Sequence, residues 1–347
     1  MKNSKGTSRN TWQRVLLSIL CIFLAAVLTV MVAGTAYVNH LLGLVADNGN
    51  NSINATLSSE ELEIATSDPD YDPFFTGPST ESVSQATVPG AQKNEDIINI
   101  LLIGEDRKGE STRQRSDSMI LCSFNKKTHT LTMISFLRDI YISEIPGYWA
   151  DKLNAAYQYG GARTLNQTLA AYFGVHVDAN IAVQFEGFIG IIDMLGGVDI
   201  DLTVEEANYI NENNLMGWCV QPGINHLNGE QALFYSRIRV IDMDAKRAQR
   251  QRNVLAALLE VYKSKSLPEM IGLSTSILET GFIQTDMSAD QITDYVRELF
   301  PILSGLKINN QQIPVEGSYE NMKVGWVVDA KVCDLERNRR ILKEILG

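Results

Sequence analysis

Cysteine and histidine are scarce in this sequence and nowhere clustered. The four cysteines, Cys21, Cys122, Cys219 and Cys333, and the four histidines stand singly along 347 residues. No two of them are close enough to begin a zinc site. The same scatter argues against a disulfide framework, leaving Cys219 with Cys333 as a pairing the sequence does not decide. His129, His176 and His226 lie beside turn signals and read as surface residues. Positive charge is short too: 30 Lys and Arg against 41 Asp and Glu leave a net charge of -11. That balance disfavours nucleic acid as a partner. No internal repeat appears.

What the chain does have, at its start, is one long apolar run. Residues 15–38 carry no charged side chain and exceed the roughly 20 residues a membrane-crossing helix needs. Lys2, Lys5, Arg9 and Arg14 precede the run, and the next charge after it is Asp47. This bias places residues 1–14 in the cytoplasm and the rest outside, on a single-pass membrane anchor. A cleaved signal peptide is the competing reading, but the run is longer than a usual signal core and V-A-G-T-A matches a cleavage site poorly. The short tail has no room for a helix-turn-helix. Residues 39–93 turn rich in Asn, Ser, Thr, Asp, Glu, Pro and Gly, too polar to fold, and read as a flexible extracellular tether.

Residues 94–347 read as one folded domain. Ile97–Gly104, Ser118–Asn125 and Thr130–Phe136 are short apolar runs bounded by charged or turn residues, hence strands, with N-K-K-T-H-T as a hairpin turn. Asp151–Tyr157 opens a helix that Gly160-Gly161 breaks, and Arg163–Phe173 forms another. Ile181–Phe185 and Val198–Leu202 read as strands around an apolar helix at Glu186–Leu195. Helices are expected at Val204–Asn213, Asn228–Tyr235, from Asp244 onward, and at Pro268–Glu279, Ala289–Phe300 and Asp334–Leu346. Gln311–Pro314 and Val324–Val328 read as short strands. The alternation predicts a single α/β/α sandwich with a mixed central sheet.

Against the acidic background, Tyr235–Arg252 is a basic knot. It holds Arg237, Arg239, Arg247, Arg250 and Arg252, with Asp242 and Asp244 among them. Arg247 shares a helix face with Gln251, Val254 and Leu258 and so points to the core. A buried guanidinium needs a partner, and its planar fork suits a carboxylate or a phosphate. Two readings stand: an internal pair with Asp242 or Asp244, or an anionic ligand. If the second strand is antiparallel to its neighbours, Asp106, Asp117 and Arg138 gather at one sheet edge. Strand ends in α/β sheets are where ligands bind. Converging carboxylates call for a cation, and oxygen ligands beside a phosphate suit Mg²⁺, with Mn²⁺ as an alternative. Apolar helical residues such as Phe185, Phe188 and Ile191 serve a core, and would equally line a lipid tail.

The motifs N-I-L-L-I-G-E-D-R, R-S-D-S-M, S-F-L-R-D, K-L-N-A-A-Y-Q-Y-G-G, L-G-G-V and Y-S-R-I-R followed by D-A-K-R-A-Q-R-Q-R occur in that order within residues 94–262. Together they resemble the LytR-CpsA-Psr family of cell-wall glycopolymer ligases. The resemblance implies a membrane-anchored phosphotransferase that moves a glycopolymer, such as teichoic acid or capsule, from a polyprenyl-pyrophosphate carrier to peptidoglycan through a phosphodiester. It implies Asp106 and Asp117 as Mg²⁺ ligands and Arg138, Arg239 and Arg247 as the pyrophosphate grip, supported by Arg237 and Arg250. Asp244 would be the base. Two positions depart from the family pattern: Leu137 stands where proline is usual, expected to loosen a turn, and Glu105 adds a carboxylate beside the expected metal. A polyprenyl-pyrophosphate hydrolase and a non-catalytic, glycan-binding regulatory module are the alternatives. Arg252, off the core-facing stripe, is expected to be solvated and replaceable.

Overall fold

The computed structural model of the chain describes residues 91–105, 115–214, 217–239, 241, 244–265 and 279–347, with a few between 269 and 277. The predicted anchor, the tether up to residue 90, Asp106 and most of the expected helix at Pro268–Glu279 lie outside them. Among the described residues no helix is long and apolar enough to cross a membrane.

The centre is a six-stranded sheet. Its strands are β1 (Ile97–Glu105), β2 (Ser116–Asn125), β3 (Thr130–Phe136), β6 (Ala179–Gln184), β9 (Ile283–Thr285) and β10 (Lys307–Ile313). They lie in the order β10-β3-β2-β1-β6-β9. β2 runs antiparallel to β1 and β3, whereas β1 pairs parallel with β6 and β3 parallel with β10. The sheet is therefore mixed, as expected. The β2–β3 turn is held by Asn125, whose Oδ1 accepts from the amides of Lys127 and Thr128 at 3.0 Å each. Two small pairs, β4 (Tyr141–Ile142) with β5 (Asp151–Lys152) and β7 (Val198–Leu202) with β8 (Gly223–Leu227), stand outside the sheet.

Alternation along the strands feeds two cores. On one face Leu101, Ile103, Leu121 and Ile134 pack with Tyr157 and Leu165 of α1 (Leu153–Phe173) and Leu342 of α7 (Leu335–Leu346). The glycine pair breaks α1 as anticipated: Gly161 sits at φ 68°, a kink and not a gap. On the other face Leu102, Ile120 and Met133 meet Leu255 and Leu259 of α5 (Asp244–Lys263). Beyond it, α2 (Phe185–Leu195), α3 (Val204–Asn213), α4 (Gly229–Arg237) and the β7–β8 pair build a further core with Ile192, Val198, Ile210 and Tyr235, into which α5 sends Val254. α5 is thus covered on two sides.

Several expectations need correction. Val324–Val328 is not one strand: it straddles a hairpin, with Val324 ending β11 (Tyr319–Val324), Val327 and Val328 opening β12 (Val327–Cys333), and Gly325-Trp326 turning between them, Gly325 at φ 58°. β8 and β9 were not anticipated. Cys333 is buried and Cys219 exposed, both free, so they do not pair. Leu137 does not loosen its turn. It is 3% exposed, and its N–H donates to the Ile313 carbonyl at 2.8 Å, a bond proline has no N–H to make. α6 (Ala289–Leu299) falls within one residue of its predicted span, Ala289–Phe300.

Candidate functional site

Because β2 is antiparallel to its neighbours, its first residues share a sheet edge with the last residues of β1 and β3. Asp117, second in β2, and Arg138, two residues past β3, meet there: an Arg138 guanidinium nitrogen lies 2.8 Å from Asp117 Oδ1. Arg239 approaches the same oxygen at 3.6 Å. Arg247, on the first turn of α5 and 4% exposed, donates to the Asp117 carbonyl at 3.5 Å. Asp139 lies 3.6 Å from both Arg138 Nε and Lys152 Nζ. Among the described residues, two carboxylates, Asp117 and Asp139, thus stand among three guanidinium groups and the Lys152 ammonium, with Arg138 and Arg239 on the Asp117 carboxylate and Arg247 on its backbone carbonyl. That surplus of positive charge suits an anion with more than one charge.

Below this cluster opens a cavity of ≈ 300 Å³. Its lining is of two kinds, polar at Asp117, Arg237, Arg239, Arg247 and Gln251, and apolar at Leu102, Ile120, Phe185, Phe188, Leu255 and Leu258. Arg237, the last residue of α4, lies over the Phe185 ring at 4.5 Å from its centre, joining the two zones by a cation–π contact. A charged head with a hydrocarbon tail matches both zones at once. The apolar α2 residues anticipated as a tail lining, Phe185, Phe188 and Ile191, do line it. Gln184, at the end of β6, lines it too, though nothing in A-V-Q-F marks that position.

Other predicted residues sit elsewhere. Arg250 is 3% exposed; its Nε lies 2.6 Å from Glu206 Oε1, and it donates to the Ile238 carbonyl at 3.0 Å. It lines a separate cleft with Asp199 and Asp201, not the apolar cavity. Arg252 is not solvated: it is 6% exposed and donates to Ser135 Oγ at 2.6 Å. Burial pushes its pKa down to about 10. The helical wheel misplaced it because α5 buries two faces, not one. Glu105 is 2% exposed and accepts from the Tyr157 hydroxyl, on the α1 face of the sheet. Asp244 opens α5, but its side chain, like the whole of Asp106, falls outside the described residues. His129 and His226 are exposed and His176 half-buried.

With this geometry in hand, comparison with known proteins is direct. TagU of Oceanobacillus iheyensis, a polyisoprenyl-teichoic acid–peptidoglycan teichoic acid transferase, is 34% identical over 263 residues, 74% of this chain and 77% of that one. The regulatory protein MsrR of Staphylococcus aureus is 29% identical over 267 residues, covering 74% of this chain and 76% of that one. The structure of the LytR-CPS2A-psr family protein YwtF (TagT) of Bacillus subtilis with bound octaprenyl pyrophosphate superposes with a TM-score of 0.57 at 25% identity, covering 76% of this chain and 97% of that one. The LytR_cpsA_psr family itself matches residues 63–343, and the chain belongs to that family.

Proposed function

We propose that this protein is a membrane-anchored, extracellular phosphotransferase that joins a glycopolymer from a polyprenyl-pyrophosphate carrier to peptidoglycan through a phosphodiester. The observation that carries the reading is one cavity lined both by three arginines and by a run of apolar side chains. Two relatives add support: one is a teichoic acid transferase, and the other holds octaprenyl pyrophosphate.

In this reading the prenyl chain occupies the apolar cavity and the pyrophosphate lies among Arg138, Arg239 and Arg247, with Arg237 beside it. The acceptor hydroxyl attacks the phosphorus bonded to the glycan. The bond from that phosphorus to the bridging oxygen breaks, and polyprenyl phosphate leaves. Asp244 takes the hydroxyl proton. The reaction needs positioning and neutralisation of equatorial oxygens more than covalent help, which arginines supply. Asp117 is the one carboxylate among the described residues lining the cavity, and a partly exposed oxygen donor there fits a hard cation. Asp117 and Asp106 would hold Mg²⁺, which would neutralise charge on the pyrophosphate. Arg250, tied to Glu206, supports the helix and not the ligand.

The test uses the full chain in detergent with a lipid-linked glycan donor and a peptidoglycan fragment, with and without EDTA. Transfer that EDTA abolishes is expected. Phosphate release without transfer would make the protein a hydrolase. Binding without either reaction would make it a regulatory module, as the name of the S. aureus relative has it.

A further inference from the structure

Arg252 is a buried cation without a counter-charge. Its Nη1 donates to Ser135 Oγ at 2.6 Å, a neutral partner, and its Nε is buried with no hydrogen-bond partner. Among the described residues no carboxylate raises its pKa back from about 10, where burial has pushed it, so it stays protonated at pH 7. Arg250, two positions earlier and also buried, shows the usual arrangement, its charge set against Glu206. An unpaired ion inside a protein is costly, and a methionine would fill the space without that cost. The place of the charge accounts for it. Ser135 pairs with Ile120 across the sheet, and Ile120 lines the arginine-bearing cavity together with Gln251 and Leu255 of α5. Arg252 is not in that lining, so its guanidinium stands behind the wall. Ser135 comes three residues before Arg138, and Ile120 three after Asp117, a span of at most about 10 Å at about 3.3 Å per residue.

We propose that Arg252 belongs to the anion-binding machinery of this cavity, drawing the pyrophosphate in through its field without touching it. The inference rests on the reading of the cavity as a polyprenyl-pyrophosphate site and adds a cation to those that line it. Arg138 and Arg239 have part of their charge answered by Asp117 and Asp139 before any ligand arrives. Arg252 has no such partner, so its whole charge is left to the ligand. A charge in water is screened by solvent and salt, whereas one held dry behind Ile120 and Leu255 keeps its reach. The stability lost by burying it is returned when a polyanion binds the folded protein alone.

The experiment compares three probes of one chain length on the full protein in detergent: a polyprenol, its monophosphate and its pyrophosphate. Arg252→Met should weaken the pyrophosphate about 10-fold, the scale of a unit charge acting across about 10 Å at an effective dielectric of about 20. It should weaken the monophosphate less and leave the polyprenol unchanged. Arg252→Gln keeps a donor for Ser135 and drops the charge, so the same gradation is expected, and it decides the matter if Arg252→Met fails to fold. Equal loss for all three probes would make Arg252 a shaper of the wall, and no loss for any would put its field out of reach; either overturns the assignment. So does Arg252→Gln binding all three as the parent does, which would leave the hydrogen bond and not the charge as what matters. If the unmodified protein holds the pyrophosphate no more tightly than the polyprenol, the reading of the cavity itself fails, and this assignment with it.

Discussion

Replacing Arg250 with leucine would remove a guanidinium buried against Glu206, whose own side chain is 9% exposed. The carboxylate left behind has no solvent to turn to, and breaking such a pair costs about 3–5 kcal/mol. For a domain of this size that corresponds to a fall of roughly 10 °C in Tm. Glu206 has a second task. Its Oε2 accepts from the Thr203 amide at 3.0 Å in the capping box that opens α3. Glu206→Leu should therefore cost more than Arg250→Leu by about 1 kcal/mol, the worth of a cap. The double replacement removes both charges and should sit only about 1 kcal/mol below the parent, so that even at the lower end of that range the two single losses together exceed the double by about 6 kcal/mol. Urea unfolding of the four proteins, followed by circular dichroism, measures the cycle, and titration with polyprenyl pyrophosphate runs beside it. If Arg250→Leu costs under about 1 kcal/mol yet abolishes lipid binding, Arg250 is a ligand group, as the family resemblance implied, and the structural account of it is wrong.

Arg247→Ala and Asp117→Ala should each abolish transfer with Tm within a few degrees of the parent; retained activity in both would move the site elsewhere. Arg252→Met should be at least as stable as the parent at pH 7, because the folded pKa of Arg252, about 10, lies below its unfolded value. The unfolded chain then holds the extra proton above pH 10, so the parent alone gains stability as pH rises through that window; a loss on mutation above about 2 kcal/mol contradicts this. His226 is raised above its usual pKa by its hydrogen bond to Asp199 and by the Gly196 carbonyl. Its contribution is present below pH 6.5 and disappears as pH climbs through the raised folded value, so a thermal-shift gap between parent and His226→Ala should shrink as pH rises above 6.5. A gap that does not change with pH counts against the pairing. Gly229→Ala would set a Cβ 2.4 Å from the Ile189 carbonyl oxygen; an unchanged Tm would show that α2 and α4 can separate at no cost.

Much of the sheet was legible because strands buried on both faces write continuous apolar runs. β3 was read at its true bounds, and β1 and β2 within two residues. β11 was not, since its pattern Y-E-N-M-K-V is half exposed and carries no run to notice, while the apolar V-G-W-V-V that drew attention straddles the turn between β11 and β12. β9, three residues long, is below what periodicity resolves. At the site, the convergence of Asp117 and Arg138 followed from strand direction alone. The role of Arg250 did not, because its partner Glu206 lies on a separate helix and no local spacing announces the pair. Arg252 was misplaced for the related reason that a helix wheel shows one apolar stripe and cannot show what the other side is packed against.

The pairing of β3 with β10 has a bearing on when this protein can become itself. Leu131 and Met133 find their parallel partners in Ile308 and Asn310, and Leu137 adds its bond to Ile313. All the motifs that mark the family have been synthesised by residue 262, yet the strand that closes their sheet, Lys307–Ile313, arrives only with the last eighth of the chain. Contacts of such long sequence separation are slow to form, because the intervening loop must be closed before they return anything. Until then β3 is an open edge, inviting a strand from another molecule. A growing chain would thus have its arginines made but not yet gathered, and a truncation after the final motif should aggregate instead of folding into a smaller domain.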